Sequence, residues 1–164
     1  MTRCVVIAMP VQRNSLDDIP MMHRVFVYGS LKRGHWNNPL LRKLGAVYRG
    51  ETVTEQCYTM LSGRIGSSPP FPVLLDDYLA QSARPVAGEI YHVSDACLER
   101  LDQLERVPDS YTRKMADVTE EGYSVKAFIY VGNLKRWKRS GWPLWSTVNR
   151  NGELVWSDDQ VERA

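Results

Sequence analysis

Glu105 is the residue of this chain whose neighbours best equip it to move a proton. Leu98, Leu101 and Glu105 stand at i, i+3 and i+7, so on a helix they share one face, with Leu104 beside it. A carboxylate on an apolar stripe is unusual, because charged groups seldom go inside unpaired. Near the end of a helix the negative pole of the dipole disfavours it further, by ~0.3–1 kcal/mol when exposed. Both effects raise a carboxyl pKa towards the range useful for proton transfer at neutral pH. The opposing reading puts Glu105 at a frayed helix end, ion-paired with Arg106, Arg113 or Lys114.

A second stretch supplies what a lone acid/base lacks. Val25-Phe26-Val27-Tyr28-Gly29-Ser30-Leu31-Lys32-Arg33-Gly34 is a short β-branched and aromatic run that stops at a glycine, with a second glycine closing the turn. Such a sequence predicts a strand entering a tight loop. Gly29 and Gly34 allow backbone angles and close approaches that a side chain would block. A loop of this kind can aim N–H groups at an anion or a developing oxyanion. Taken alone, it also fits an ordinary turn.

The two stretches together carry a resemblance. Leu101-Asp102-Gln103-Leu104-Glu105 is followed by Pro108, Tyr111 and Arg113. In this order after the Tyr28–Leu31 loop, they resemble the gamma-glutamylcyclotransferase-like family, from about Arg24 to Val131. Its members carry a Tyr-Gly-Ser/Thr-Leu loop, a catalytic glutamate ending a Leu-Asp-x-x-Glu helix, and a Tyr-x-Arg strand just beyond. The resemblance implies a small mixed β-barrel with a few flanking helices. It implies an enzyme, an amine-releasing lyase/acyltransferase, that cyclises a small-molecule γ-glutamyl amine or amide to 5-oxoproline. Glu105 would be the general acid/base, and Tyr28, Gly29, Ser30 and Leu31 would hold the γ-glutamyl group through backbone atoms. Tyr111 and Tyr130 match aromatics near the family's cavity, or else simply pack. Val-Tyr-Gly-Ser-Leu-Lys-Arg-Gly, followed by Asn37-Asn38, is most similar to the gamma-glutamylamine cyclotransferase branch. The alternative is a non-catalytic small-molecule-binding module of the same fold.

What the sequence lacks fits such a reaction. It has no Gly-x-Ser-x-Gly elbow, no His-Glu-x-x-His helix, no phosphate-binding Gly-Lys-Ser/Thr loop and no dinucleotide fingerprint. An enzyme with one acid/base and an amide-lined loop needs a substrate that brings its own nucleophile. In the reaction that the resemblance implies, that nucleophile would be the substrate's own α-amine, attacking the γ-carbonyl.

The elements that must position these residues are short. Val25–Tyr28 predicts a buried strand. Asn38-Pro39 opens a short helix, with Leu40, Leu41 and Leu44 on its apolar face and Gly45 as its stop. Strand material is expected at Ala46–Tyr48 and Glu51–Thr54, around Gly50. A rigid Ser67–Pro72 loop then leads into a Val73–Leu75 strand. Val86–Val93 predicts a strand, and Ser94 or Asp95 caps a helix reaching Glu105 or Arg106. Tyr111–Val118 and Tyr123–Val131 predict a hairpin turning at Glu121-Gly122, with Tyr123, Val125, Ala127, Ile129 and Val131 on one face. Many short strands with two modest helices indicate an α+β protein rather than a parallel βαβ sheet.

The chain has 164 residues, which fits one domain with a sizeable core. Its net charge is only +2, from 21 basic and 19 acidic residues, which argues against nucleic-acid or membrane partners. Cys4, Cys57 and Cys97 form no disulfide framework, and with His23, His35 and His92 they show no metal-type spacing. A reducing, cytoplasmic setting, no metal, no cofactor and a monomer or weak dimer are therefore expected. Cys4–Met9 is apolar but too short to span a bilayer. Residues 1–20 are read as an extension outside the core, 21–132 as the family domain, and 133–164 as a Trp-rich basic tail packing on it. Trp137, Trp142, Trp145 and Trp156 lie in that tail, with Lys135, Arg136, Lys138 and Arg139 around the first. The tail is read either as aromatics pinning irregular chain to the domain, or as a lid or stacking surface. Asn151-Gly152 marks a hairpin-like turn within it.

Overall fold

Val25, Phe26 and Val27 form a strand that is apolar at every position because both of its faces are covered. Val25 and Val27 belong to one buried cluster with Val93, Leu98 and Leu101. Phe26 belongs to another with Ile90, Val118, Ile129 and Trp156. A strand at the middle of a sheet, with packing on both sides, has no solvent face to mark with polar residues. The structure is a computed structural model that describes residues 22–76, 81–137 and 140–157. The extension expected over residues 1–20 lies outside the described residues, as do Lys138 and Arg139.

In chain order the elements are β1 (Met22–Val27), α1 (Asn38–Lys43), β2 (Val47–Val53), β3 (Thr59–Gly63) and β4 (Phe71–Leu75). These are followed by β5 (Ala87–Ser94), α2 (Asp95–Leu104), β6 (Tyr111–Glu120), β7 (Tyr123–Gly132), α3 (Leu134–Trp137) and β8 (Leu144–Trp145). Five strands form one sheet in the order β2-β5-β1-β7-β6, and three form a second in the order β4-β3-β8. β1 pairs antiparallel with β5 and parallel with β7. Gly88 of β5 is obligatory there, since a Cβ would lie 2.4 Å from the Val27 carbonyl oxygen and 2.5 Å from Phe26 Cζ.

The fold is mixed α+β, but the expected barrel is not what forms. Barrel closure needs a continuous ladder between the first and last strands. β2 and β6, the two edges of the larger sheet, meet at a single isolated bridge, Thr54↔Val118. Beside it the Thr52 hydroxyl stands where backbone would be, donating to Thr119 O (2.6 Å) and accepting from Thr119 N–H (3.1 Å). A side chain in the place of a main-chain partner ends the ladder. β2 is also irregular between Tyr48 and Gly50, where Gly50 adopts a φ of 146°. Two open sheets result.

The helix that carries Glu105 follows its sequence closely. The Ser94 hydroxyl accepts from the Cys97 N–H, an N-cap interaction worth about 1 kcal/mol. Cys97, Leu98 and Leu101 are buried against β5 and β1, with Leu101 fully enclosed. Burying each leucine contributes roughly 1.5–3 kcal/mol. α2 ends at Leu104 with Glu105 as its C-cap, and Arg106 turns into the left-handed region at φ 52°. The β6–β7 hairpin turns at Glu121-Gly122, both at positive φ, as a tight hairpin requires. β3 and β8 were not anticipated. Both are short, and β3 ends in Gly63, whose Cα is crossed by the Trp142 ring.

Candidate active site

The Tyr28–Leu31 loop leaves β1 and runs beneath β4. Gly29 must be glycine because a Cβ there would stand 2.6 Å from Cγ of Pro72. Beyond it the loop is fastened at several points. The Lys32 N–H donates to Gly29 O (3.0 Å), and the Asn37 N–H to Ser30 O (3.0 Å). Asn38 Nδ2 donates to Leu31 O (2.8 Å). The buried Glu89 carboxylate accepts the Arg33 N–H (2.9 Å) and the Tyr91 hydroxyl (2.9 Å). By contrast, the N–H groups of Gly29, Ser30 and Leu31 donate to no protein acceptor among the described residues. The Ser30 hydroxyl takes only a long contact of 3.4 Å from Asn37 Nδ2.

The residues that carry these free amides line a cavity of about 350 Å³, and Glu105 lines the same cavity. That size falls at the low end of the roughly 300–1,000 Å³ typical of small-molecule sites. Among the described residues, Glu105 is the only carboxylate lining it. The rival reading of Glu105 as an ion-pair partner finds no support in the geometry. Arg113 Nη1 is spent on Asp102 Oδ2 at 2.6 Å, and Lys114 pairs with Asp76. Glu105 makes no side-chain hydrogen bond or ion pair among the described residues. It is half-buried by accessible surface, yet that surface faces the cavity, and the dense protein around it withholds bulk water. This burial pushes the Glu105 carboxyl up to about 7.

Three tyrosines surround the carboxylate and remain neutral. Burial, and after it the charge of Glu105, raises the Tyr28 phenol well above its ordinary range. Tyr111 is raised by burial and by its neighbours Tyr28 and Glu105. Tyr130 is raised by burial and then by its bond to Asp102. The Tyr28 hydroxyl donates to Tyr130 O (2.7 Å), and Tyr130 donates to Asp102 Oδ1 (2.7 Å). Asp102 thus holds Tyr130 and Arg113 together, as expected of a structural carboxylate one turn before Glu105. Tyr28, Gly29, Ser30, Leu31, Glu105, Tyr111 and Tyr130 all line the same cavity. Tyr111 and Tyr130 also pack in the core, so lining and packing are not exclusive here.

Other walls were not foreseen. Trp36, Phe71, Pro72, Arg106, Arg136 and Trp137 also line the cavity. Trp36 follows the loop directly in sequence, and Phe71-Pro72 end the proline-rich segment; either position could have been suspected from its neighbours. Trp137 is buried, donates Nε1–H to Ser110 O (2.6 Å) and stacks on Trp142 at 4.8 Å between ring centroids. Trp156 is fully buried, with Trp145 against it at 4.6 Å. The tail aromatics therefore pack on the domain, and its first tryptophan also forms cavity wall. Among the described residues, no group of His, Cys, Asp or Glu is placed to hold a metal ion, and no helix is long and apolar enough to cross a membrane.

The sequence is similar to proteins of known name. Gamma-glutamylaminecyclotransferase of Mus musculus is 32% identical over 120 residues, covering 66% of this chain and 77% of the relative. The Homo sapiens gamma-glutamylaminecyclotransferase is 37% identical over 100 residues, covering 59% of this chain and 62% of the relative. Among solved structures, an AIG2-like protein from Mus musculus superposes with a TM-score of 0.63 at 28% identity, covering 83% of this chain and 96% of that one. The family model described as gamma-glutamyl cyclotransferase, AIG2-like matches residues 25–146, and the chain belongs to that family.

Proposed function

We propose that this protein is a γ-glutamyl cyclotransferase that converts a γ-glutamyl amine or amide into 5-oxoproline and the free amine, with Glu105 as its general acid/base. The observation that carries the reading is an unpaired carboxylate, raised to about 7, that lines one small cavity together with a loop of unengaged amides, and is the one carboxylate to do so among the described residues.

The chemistry balances without water or a cofactor. The γ-glutamyl group lies along Tyr28–Leu31, bent so that its α-nitrogen faces its own γ-carbonyl carbon. Holding that geometry is itself a large part of catalysis, since intramolecular attack replaces a bimolecular encounter. Glu105 accepts a proton from the α-ammonium. The freed nitrogen bonds to the γ-carbon, and the negative charge moves to the carbonyl oxygen. Free N–H groups of the loop are of the right kind to stabilise that oxyanion. The bond from the γ-carbon to the departing nitrogen then breaks as Glu105 returns its proton to that nitrogen, and the second proton, left on the ring nitrogen, passes through the same carboxylate to the released amine, which departs as its ammonium. A carboxyl with a pKa of about 7 is well matched to these transfers at neutral pH. The neutral tyrosines offer no competing base.

The loop sequence and the similarity to gamma-glutamylaminecyclotransferases favour a γ-glutamylamine as substrate. Incubation with γ-glutamyl-ε-lysine, a γ-glutamyl-amino acid and glutathione, with 5-oxoproline as the readout, tests the reading and selects the branch. Release from none of them by folded protein would favour a binding module that keeps the cavity without turnover.

A further inference from the structure

The cavity has an enclosed floor and an open mouth, and the two differ in chemistry. Tyr28, Tyr111, Tyr130 and Trp137 line it while no more than 8% exposed. Trp36, Ile65 and Leu104 line the same cavity while 51%, 55% and 38% exposed. A side chain that borders the cavity and also meets solvent stands at its mouth. Large apolar side chains exposed singly need no explanation, but a group of them round one opening marks a binding surface. Trp36 is held beside the amide loop, because the next residue, Asn37, donates its N–H to Ser30 O at 3.0 Å. Leu104 ends α2 immediately before Glu105. The amide loop and the Glu105 carboxyl therefore each have an exposed apolar neighbour. Among the described residues the Trp36 ring has no aromatic partner and its indole N–H no acceptor, so the exposed half of the ring is unclaimed by the protein.

Resting on the cyclotransferase reading above, we infer that Trp36 is a specificity-determining residue, and that the site selects a leaving amine carrying an aromatic ring on a short stem. The γ-glutamyl half of the substrate must reach both the amide loop and Glu105, and the floor beyond them is closed by buried rings. The half attached to the departing nitrogen is the part left to extend to the mouth, past Trp36, Leu104 and Ile65. A flat ring there stacks on the indole and covers apolar wall that is otherwise wet. The remaining charged groups of the mouth also accept a ring. Arg106 and Arg136 are exposed lining residues, and planar guanidinium groups pack on aromatic faces, as Arg136 does over Trp137 at 4.8 Å. A short alkyl group reaches less of the wall and offers no face to stack.

The experiment compares two uncharged leaving groups, γ-glutamyl benzylamide and γ-glutamyl ethylamide. Binding is measured by calorimetry, and turnover by 5-oxoproline release. The benzylamide is expected to be preferred by about tenfold or more in both readouts, since it adds one buried ring. The preference should persist as salt is raised, because no ion pair carries it. In Trp36→Ala, confirmed to be folded, the ratio should fall by about fivefold, and in Trp36→Phe most of it should be kept. Equal binding and equal kcat/KM for the two amides in the wild-type protein would overturn the selectivity and leave cyclisation standing. A preference undiminished in Trp36→Ala would overturn the role of Trp36. Trp36-dependent preference in binding, without any 5-oxoproline release, would keep the selectivity and overturn the cyclotransferase reading. Failure of both amides to bind or react would overturn both.

Discussion

Replacing Glu105 by glutamine should make the protein more stable above neutral pH while removing the group on which the proposed chemistry depends. Raising a carboxyl from the ordinary 4.5 to about 7 means the folded state disfavours the ionised form. Between those two values the folded protein holds a proton that the unfolded chain has released, so stability falls as pH rises through this window. The loss is complete above about pH 7. At roughly 1.4 kcal/mol per pH unit between the two values, it amounts to about 3 kcal/mol. Glutamine has nearly the same shape and no charge, so it escapes the loss. Urea denaturation of both proteins at pH 4.5 and pH 8 checks the argument. The stabilities should agree at the lower pH, and Glu105→Gln should be the more stable by up to about 3 kcal/mol at the higher one. Equal or lower stability of the variant at pH 8 would mean that the carboxylate is solvated or paired, and the case for its raised pKa would fail.

Three other outcomes follow from the same geometry. The acidic limb of kcat/KM should bend at an apparent pKa of about 7, set by Glu105, with rates falling below it; a profile flat between about pH 6 and 8 would assign proton transfer elsewhere. Gly29→Ala should displace the loop from Pro72, lowering stability by about 1–3 kcal/mol and raising KM, as read from denaturation and steady-state kinetics. Glu89→Leu should leave both the Arg33 N–H and the Tyr91 hydroxyl, which share one carboxylate oxygen, without their acceptor. That change should lower stability by about 1–3 kcal/mol and raise KM more than it lowers kcat, since Glu89 anchors the loop without touching the cavity.

The legible parts of the fold were those in which local chemistry and tertiary need agree. α2 could be read from Ser94 at its start, Leu98 and Leu101 on its buried face, and Pro108 beyond its end. The β6–β7 hairpin could be read from the alternation after Gly122. The loop after β1 announced itself through its glycines, and Gly29 proved to be fixed by Pro72, a residue 43 positions on, rather than by its own backbone angle. What sequence could not show was long-range. Whether β2 and β6 close into a barrel depends on Thr52 taking the place of backbone, which no pattern within either strand reveals. β3 was hidden because five residues ending in glycine carry little periodicity. The cavity walls come from segments far apart in the chain, so Arg136 and Trp137 read as tail, and only the folded chain puts them on one cavity with Tyr28–Leu31. Glu105 stood out because its apolar helix face made it an anomaly within seven residues.

The most direct test of the account is 5-oxoproline release from γ-glutamyl-ε-lysine, a γ-glutamyl-amino acid and glutathione, by the wild-type protein and by Glu105→Gln confirmed to be folded. The account predicts release from at least one substrate by the wild type and none above background by the variant. Undiminished release by a folded Glu105→Gln protein would contradict it.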